Sequence, residues 1–171
     1  MRAVVQRVTG ASVTVDGEVV GAVGPGVMVL IGVSSEDTDK DLKYITDKVM
    51  NLRIFDDENG VMNRSVLDVG GSILAVSQFT LYGDARGGRR PSYIRAAGPE
   101  PANEMYQRLV AAWRNSGIHV ETGRFRTEMQ VSLVNDILQV LVGIRIGHAD
   151  QHHDPGTDLT HFFIVNRHIC L

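Results

Sequence analysis

The decapeptide Ile73-Leu74-Ala75-Val76-Ser77-Gln78-Phe79-Thr80-Leu81-Tyr82 constrains the fold more than any other stretch of this chain. It opens as an unbroken apolar run, which suits a strand covered on both faces, and turns at Ser77 to hydroxyl, amide and aromatic groups. Polar groups at the end of a buried strand need partners, either neighbouring backbone or a ligand in a pocket. Most strand-end serines and threonines satisfy only local backbone, so a pocket needs support from elsewhere in the chain. The rest must supply two covering layers. With 171 residues there is enough chain for one domain with a substantial core and too little for two.

Taken in order, Arg2 to Val15 reads as one or two strands, with Ala11, Val13 and Val15 alternating against polar neighbours. Asp16-Gly17 suits a tight hairpin turn, and Glu18 to Val23 should return antiparallel. After Gly24-Pro25-Gly26, the run Val27 to Val33 is apolar enough for a covered central strand. Thr38 and Asp41 form a capping box that opens a helix over 39–51, with Leu42, Ile45, Val49 and Leu52 on one face. Leu52 to Phe55 reads as a short strand, followed by turn chemistry at Asp56-Asp57-Glu58-Asn59-Gly60. A second helix is expected over 101–116, with Gly117 as its stop. Strands follow at 118–122 and 128–134. This order defines an α+β class: a single domain, a largely antiparallel, barrel-like sheet and two main helices.

Beyond Asp136 the character changes. Residues 137–171 hold five of the six histidines and the only cysteine, Cys170. Ile137 to Ile146 retains strand character, whereas His148 to Gly156 is polar without periodicity and reads as loosely ordered. The organisation expected is therefore a domain over 1–136 followed by a divergent segment over 137–171.

Composition narrows the function. Apolar content of 43% and charged content of 22% are those of a soluble globular protein, no stretch reaches transmembrane length, and the N-terminus is too polar for a signal peptide. One cysteine fits a reducing, cytoplasmic setting. A net charge of −3 gives the whole molecule no attraction for a polyanion, so nucleic-acid binding would need a local patch. The densest is Arg86, Arg89, Arg90 and Arg95, in a glycine-rich loop long enough to be functional.

Conventional catalysts are scarce. Before the tail the only histidine is His119, between Ile118 and Val120 in an expected strand, and there is no cysteine. A Cys-His nucleophile is excluded there, and a Ser-His-Asp triad would have to use His119. No Walker loop or dinucleotide fingerprint occurs, so no cofactor is implied. The tail histidines His148, His152 and His153 have no clear helix to present them to zinc, and no metal is expected. What remains is a site of backbone donors and hydroxyls at Ser77-Gln78-Phe79-Thr80. Such a site suits an activated ester, because oriented N–H groups stabilise the developing oxyanion.

Six blocks carry a resemblance to a known family: Met1 to Val8, Ala11-Ser12-Val13, Asn51 to Phe55, Ser77 to Tyr82, Gly88-Arg89-Arg90-Pro91-Ser92 and Met129 to Asp136. In these the chain resembles the D-aminoacyl-tRNA deacylases over 1–136. The resemblance implies a cytoplasmic homodimer that hydrolyses the ester joining a D-amino acid, or glycine, to the 3′ end of tRNA. It implies a catalytic role for Thr80 together with Ser77, Gln78 and Phe79, whose backbone would bind the amino acid's ammonium and carbonyl groups. Arg7 and Met129 would support the pocket, and Arg86, Arg89 and Arg90 are candidates for tRNA phosphate contacts. A second mechanism in the family assigns activation of water to the tRNA's terminal ribose hydroxyl. The absence of an evident base beside Thr80 favours it.

The resemblance ends at Asp136. Family members continue with a Gly-Pro pair whose cis peptide enters the partner's site and excludes L-amino acids; here Ile137-Leu138 stand in its place. A non-proline cis bond costs about 3 kcal/mol, so Ile-Leu cannot imitate the motif. The abrupt loss of similarity resembles a change of reading frame. Three consequences are open: lost activity, relaxed chirality with cleavage of L-aminoacyl-tRNA, or replacement of the motif by the tail. A silent tRNA-binding homologue is the alternative from outside enzymology.

Overall fold

The computed structural model describes residues 1–135, 139–145 and 161–166. Strands β1 (Arg2–Val8), β2 (Gly10–Val15), β3 (Glu18–Val23) and β4 (Gly26–Gly32) precede helix α1 (Asp39–Asn51). Short strands β5 (Phe55–Asp56) and β6 (Met62–Arg64) lead to β7 (Ser72–Ser77) and a 3-10 turn, Phe79–Tyr82. Helix α2 (Pro99–Asn115) is followed by β8 (Val120–Thr122), β9 (Gln130–Val134), β10 (Gln139–Arg145) and β11 (His161–Asn166).

The main sheet runs in the order β11-β10-β1-β4-β7-β8, and a second sheet runs β3-β2-β9. Pairing is antiparallel except β4 with β7 and β7 with β8, which are parallel. The largely antiparallel expectation therefore holds with two exceptions, and both have one cause. Each parallel pair is joined by a crossover through a helix, α1 for the first and α2 for the second, and parallel neighbours require such a connection.

The alternation of side chains along β4 and β7 builds three layers. Val27, Val29, Ile31, Ile73 and Ala75 face α1 and α2, where Ile45, Val49, Leu109 and Trp113 close the core. Met28, Leu74 and Val76 point the other way onto Val13, Val15 and Val23 of the small sheet. The central run is thus covered on both faces, as its composition demands. Full burial of each such side chain is worth about 2 kcal/mol. Polar groups inside are matched: the Tyr106 hydroxyl donates to the Ala75 carbonyl at 2.9 Å, and the Trp113 indole donates to the Thr46 carbonyl at 3.3 Å. At the far edge β3 lies against β8 so closely that a Cβ on Gly21 would stand 2.5 Å from the Thr122 carbonyl oxygen.

Local signals set the turns and helix ends. Asp16 and Gly17 take φ of 51° and 81°, the pair of positive values a two-residue hairpin turn needs. The Thr38–Asp41 capping box is present and α1 spans the expected residues. Gly117, at φ 85°, follows the end of α2. Several boundaries differ: the strands expected at 118–122 and 128–134 are β8 (Val120–Thr122) and β9 (Gln130–Val134). The strand expected at 52–55 is confined to Phe55–Asp56, because Leu52 only caps α1. Helix α2 begins at Pro99, a residue whose missing N–H costs nothing in a first turn. Beyond 136, β10 pairs with β1 and β11 with β10, extending the main sheet. His148, His152 and His153, and the stretch read as loosely ordered at 148–156, lie outside the described residues, as do Ile137-Leu138.

Candidate functional site

The site begins where β7 stops. Ser77 is the last residue of the strand, opposite Ile31 of β4, and the Gln78 N–H still donates to the Ile31 carbonyl at 2.7 Å. The chain then folds into the 3-10 turn instead of continuing as a strand. The turn is held at its end by Gly83, whose N–H donates to the Thr80 carbonyl at 2.9 Å. Arg2 also holds it: its guanidinium donates to the Leu81 carbonyl at 2.6 Å and lies 4.4 Å from the Tyr82 ring centre. Gly32 lets the turn sit directly on β4, since a Cβ there would meet the Gln78 carbonyl oxygen at 3.1 Å and Tyr82 at 3.2 Å. Burial, with the Asp37 carboxylate adding to it, raises the Tyr82 phenol, so it remains a neutral part of this support.

A pocket of about 640 Å³ opens beside the turn. Ser77, Gln78 and Phe79 form one wall. Ala97, Pro99 and Ala102, at the start of α2, form a second, and the loop from Phe125 to Met129 forms a third. Phe125 is anchored near Tyr106, with ring centres 6.2 Å apart, and Tyr93 meets Phe79 edge to face at 5.3 Å. The lining is mostly apolar with few polar groups, the ordinary make-up of a small-molecule site. The first N–H groups of a 3-10 turn have no partner within it, and of the residues that open this one Phe79 is in the pocket lining.

The sequence-predicted residues separate here. Ser77, Gln78, Phe79 and Met129 line the pocket. Thr80 is exposed outside the lining, and its hydroxyl oxygen accepts a hydrogen bond from the Gln78 side-chain amide. An amide has no basicity to take a proton from that hydroxyl, and among the described residues no other side chain bonds to it. The Gln78 N–H is bound to the Ile31 carbonyl and so offers the pocket no donor.

Arg7 lies elsewhere. It sits near the end of β1 opposite Val27, with its guanidinium 3.1 Å from both the Ile54 carbonyl and the Asp56 carboxylate. Arg86 is folded back on Asp84, at 2.6 Å and 3.0 Å, and that bond holds the Asp84 carboxyl well below the usual carboxylate range. Arg89 and Arg90 are exposed in the loop beyond the Asp84–Ser92 bridge. His119 stands at the opposite end of β7 beside Glu121, at 3.3 Å, far along the strand from Ser77.

Sequence reading missed Tyr93, Phe125 and Arg126. The first two are single aromatics in irregular segments, without periodicity to mark them. Arg124-Phe125-Arg126, an aromatic between two cations, was the one available signal. No helix among the described residues is long and apolar enough to cross a membrane.

The fold defines the class, an α+β domain of mixed and antiparallel sheets with two main helices and a mostly apolar pocket at the end of β7. The family model for D-Tyr-tRNA(Tyr) deacylase matches residues 4–136. A D-aminoacyl-tRNA deacylase of Desulfitobacterium hafniense is 62% identical over 136 residues, covering 80% of this chain and 91% of the relative. One from Symbiobacterium thermophilum is 60% identical over 136 residues, covering 80% and 90%. Among solved structures, one described as a c-Myc DNA unwinding element binding protein superposes with a TM-score of 0.81 at 40% identity. It covers 86% of this chain and 100% of its own. A probable eukaryotic D-amino acid tRNA deacylase, at 19% identity, TM-score 0.68 and coverage of 79% and 94%, shares the fold. The chain belongs to the D-aminoacyl-tRNA deacylase family.

Proposed function

We propose that this chain hydrolyses the ester of D-aminoacyl-tRNA, and of glycine mischarged on tRNA-Ala, as a chiral proofreading step of translation in the cytoplasm. The observation that carries the reading is the 3-10 turn after Ser77, beside which Ser77, Gln78 and Phe79 line a mostly apolar pocket; in this reading the Phe79 and Thr80 N–H groups supply the donors. Donors so placed stabilise the oxyanion formed when water attacks the acyl carbon. The carbon–oxygen bond to the ribose then breaks, the ribose oxygen takes up a proton, and free amino acid and tRNA leave.

Thr80 acts here as a support and not as the nucleophile, because its hydroxyl is engaged by the Gln78 amide and has no base. Activation of the water falls to the ribose hydroxyl beside the ester. Arg89 and Arg90 take phosphates of the tRNA, while Arg86 does so only by exchanging Asp84 for the phosphate.

The protein acts as a homodimer. β9 is an edge strand of the small sheet, with Val131 and Val134 exposed upon it, and Val131 also lines the pocket. A hydrophobic edge strand invites pairing, and a second copy can cover it. Across such an interface Arg7, remote from the pocket of its own chain, serves the partner's.

Ile137-Leu138, where the family carries Gly-Pro, weakens the reaction or its chirality. The decisive experiment compares hydrolysis of D- and L-tyrosyl-tRNA by this chain and by a version with Gly-Pro-Val-Thr placed after Asp136. The expected result is D-specific cleavage that is slower in this chain than in the repaired one. Failure of both to cleave either substrate would refute the activity. Fast, strictly D-specific cleavage by the unrepaired chain would refute the role of the missing motif.

A further inference from the structure

Arginines in this fold are nearly all spoken for. Arg53, Arg64 and Arg114 donate to carbonyls of Asn63, Asp68 and Val120, while Arg95, Arg108 and Arg124 face Glu36, Asp39 and Glu18. Among the described residues Arg89, Arg90 and Arg126 have no such partner, and of these only Arg126 lines the pocket.

Its position is built by its neighbours. Arg124 is tied to Glu18 at 2.9 Å, Phe125 is tucked against the core beside Tyr106, and the Thr127 hydroxyl donates to the Arg124 carbonyl at 3.1 Å. Holding both flanks this way puts Arg126 at φ 63°, a left-handed conformation that costs a non-glycine residue about 1 kcal/mol or more. The sequence therefore spends strain to keep a long, exposed cation in the lining of the pocket that Ser77, Gln78 and Phe79 also line. Among the described residues the one carboxylate in the lining is Glu128, two residues on, and no described bond joins the two.

A cation at the mouth of a site that takes an acyl nucleoside end-first faces whatever follows the nucleoside. We propose that Arg126 binds the 5′-phosphate of the terminal nucleotide of the aminoacylated RNA, setting the depth at which the ester enters the pocket. This rests on reading the pocket as the seat of an aminoacyl ester. A guanidinium suits a phosphate because its fork offers two parallel N–H donors, and such charge-assisted pairs are stronger than neutral ones. It differs from the roles of Arg89 and Arg90, which lie in the loop beyond the Asp84–Ser92 bridge and outside the pocket lining, where they reach more distant phosphates.

The test uses the full chain and a hydrolysis-resistant amide analogue of D-tyrosyl-adenosine, prepared with and without a 5′-phosphate, with binding followed by calorimetry at low and moderate salt. The unsubstituted protein should bind the phosphorylated analogue about tenfold more tightly, an advantage that shrinks as salt is raised. In Arg126→Gly that ratio should fall to about one; glycine is at ease at φ 63°, so the thermal midpoint should be no lower than that of the parent. Arg126→Lys should keep part of the ratio. Equal affinity for both analogues in the unsubstituted protein, or a phosphate advantage that survives in Arg126→Gly, overturns the proposal. Hydrolysis of D-tyrosyl-tRNA without any phosphate advantage would leave the activity standing and remove this inference. A phosphate advantage without hydrolysis would do the reverse.

Discussion

Under the proposed deacylation, Thr80 is a support and not the nucleophile. If its hydroxyl attacked the ester it would need a base, yet the group beside it is the Gln78 amide, a donor. Its place fits a strut that orients Gln78 and the N–H groups of the turn. Thr80→Ala should then lower the single-turnover deacylation rate by about tenfold, the scale of a lost positioning contact, with no acyl-enzyme detectable. A loss beyond about a thousandfold, or a trapped acyl-enzyme in the unsubstituted protein, would restore the nucleophile. Arg86 teaches a related lesson: an arginine in a basic run is not a free cation until its neighbours have been counted, and Asp84 already holds this one.

At the scale of elements, the site depends on how a 3-10 turn is pressed onto a strand. The contacts that a Cβ on Gly32 would make with Gln78, Leu81 and Tyr82, all at 3.1 to 3.2 Å, involve backbone and the near parts of side chains, so the turn itself would have to lift. Gly32→Ala should therefore cost about 1 to 3 kcal/mol in urea unfolding, the range for overpacking, and should reduce deacylation further than that loss of folded protein explains. An alanine variant with unchanged kcat/KM and stability would show that the turn has slack there. Arg2 matters for the same reason, since it grips the far end of the same turn through the Leu81 carbonyl.

At the scale of the whole molecule, the edge of the small sheet next to the pocket is open among the described residues. β9 exposes Val131 and Val134, at 38% and 64%, on an edge strand next to the pocket mouth. Light scattering after size exclusion should find a dimer, and Val134→Lys should shift the population toward monomer by placing a charge in that surface. A monomer at all concentrations in the unsubstituted protein would sink the interface and, with it, the assignment of Arg7 to a partner's pocket.

Periodicity and turn chemistry were legible in the chain alone: the buried run at 73–76, the Asp16-Gly17 hairpin, the capping box of α1 and the glycine stop of α2 all act within a few residues. The Ser77-Gln78-Phe79 wall was legible too, because a polar switch at the end of an apolar strand has few physical outlets. Tertiary structure decided the rest. Whether neighbours pair parallel or antiparallel depends on where a crossover helix lands, and whether β7 continues or coils into a turn depends on the space Gly32 leaves. The partners of Arg7 and Arg86, and the lack of one for Arg126 among the described residues, were likewise beyond the sequence. A charge's availability depends on what stands within a few ångströms of it, and residues distant in the chain supply most of those neighbours.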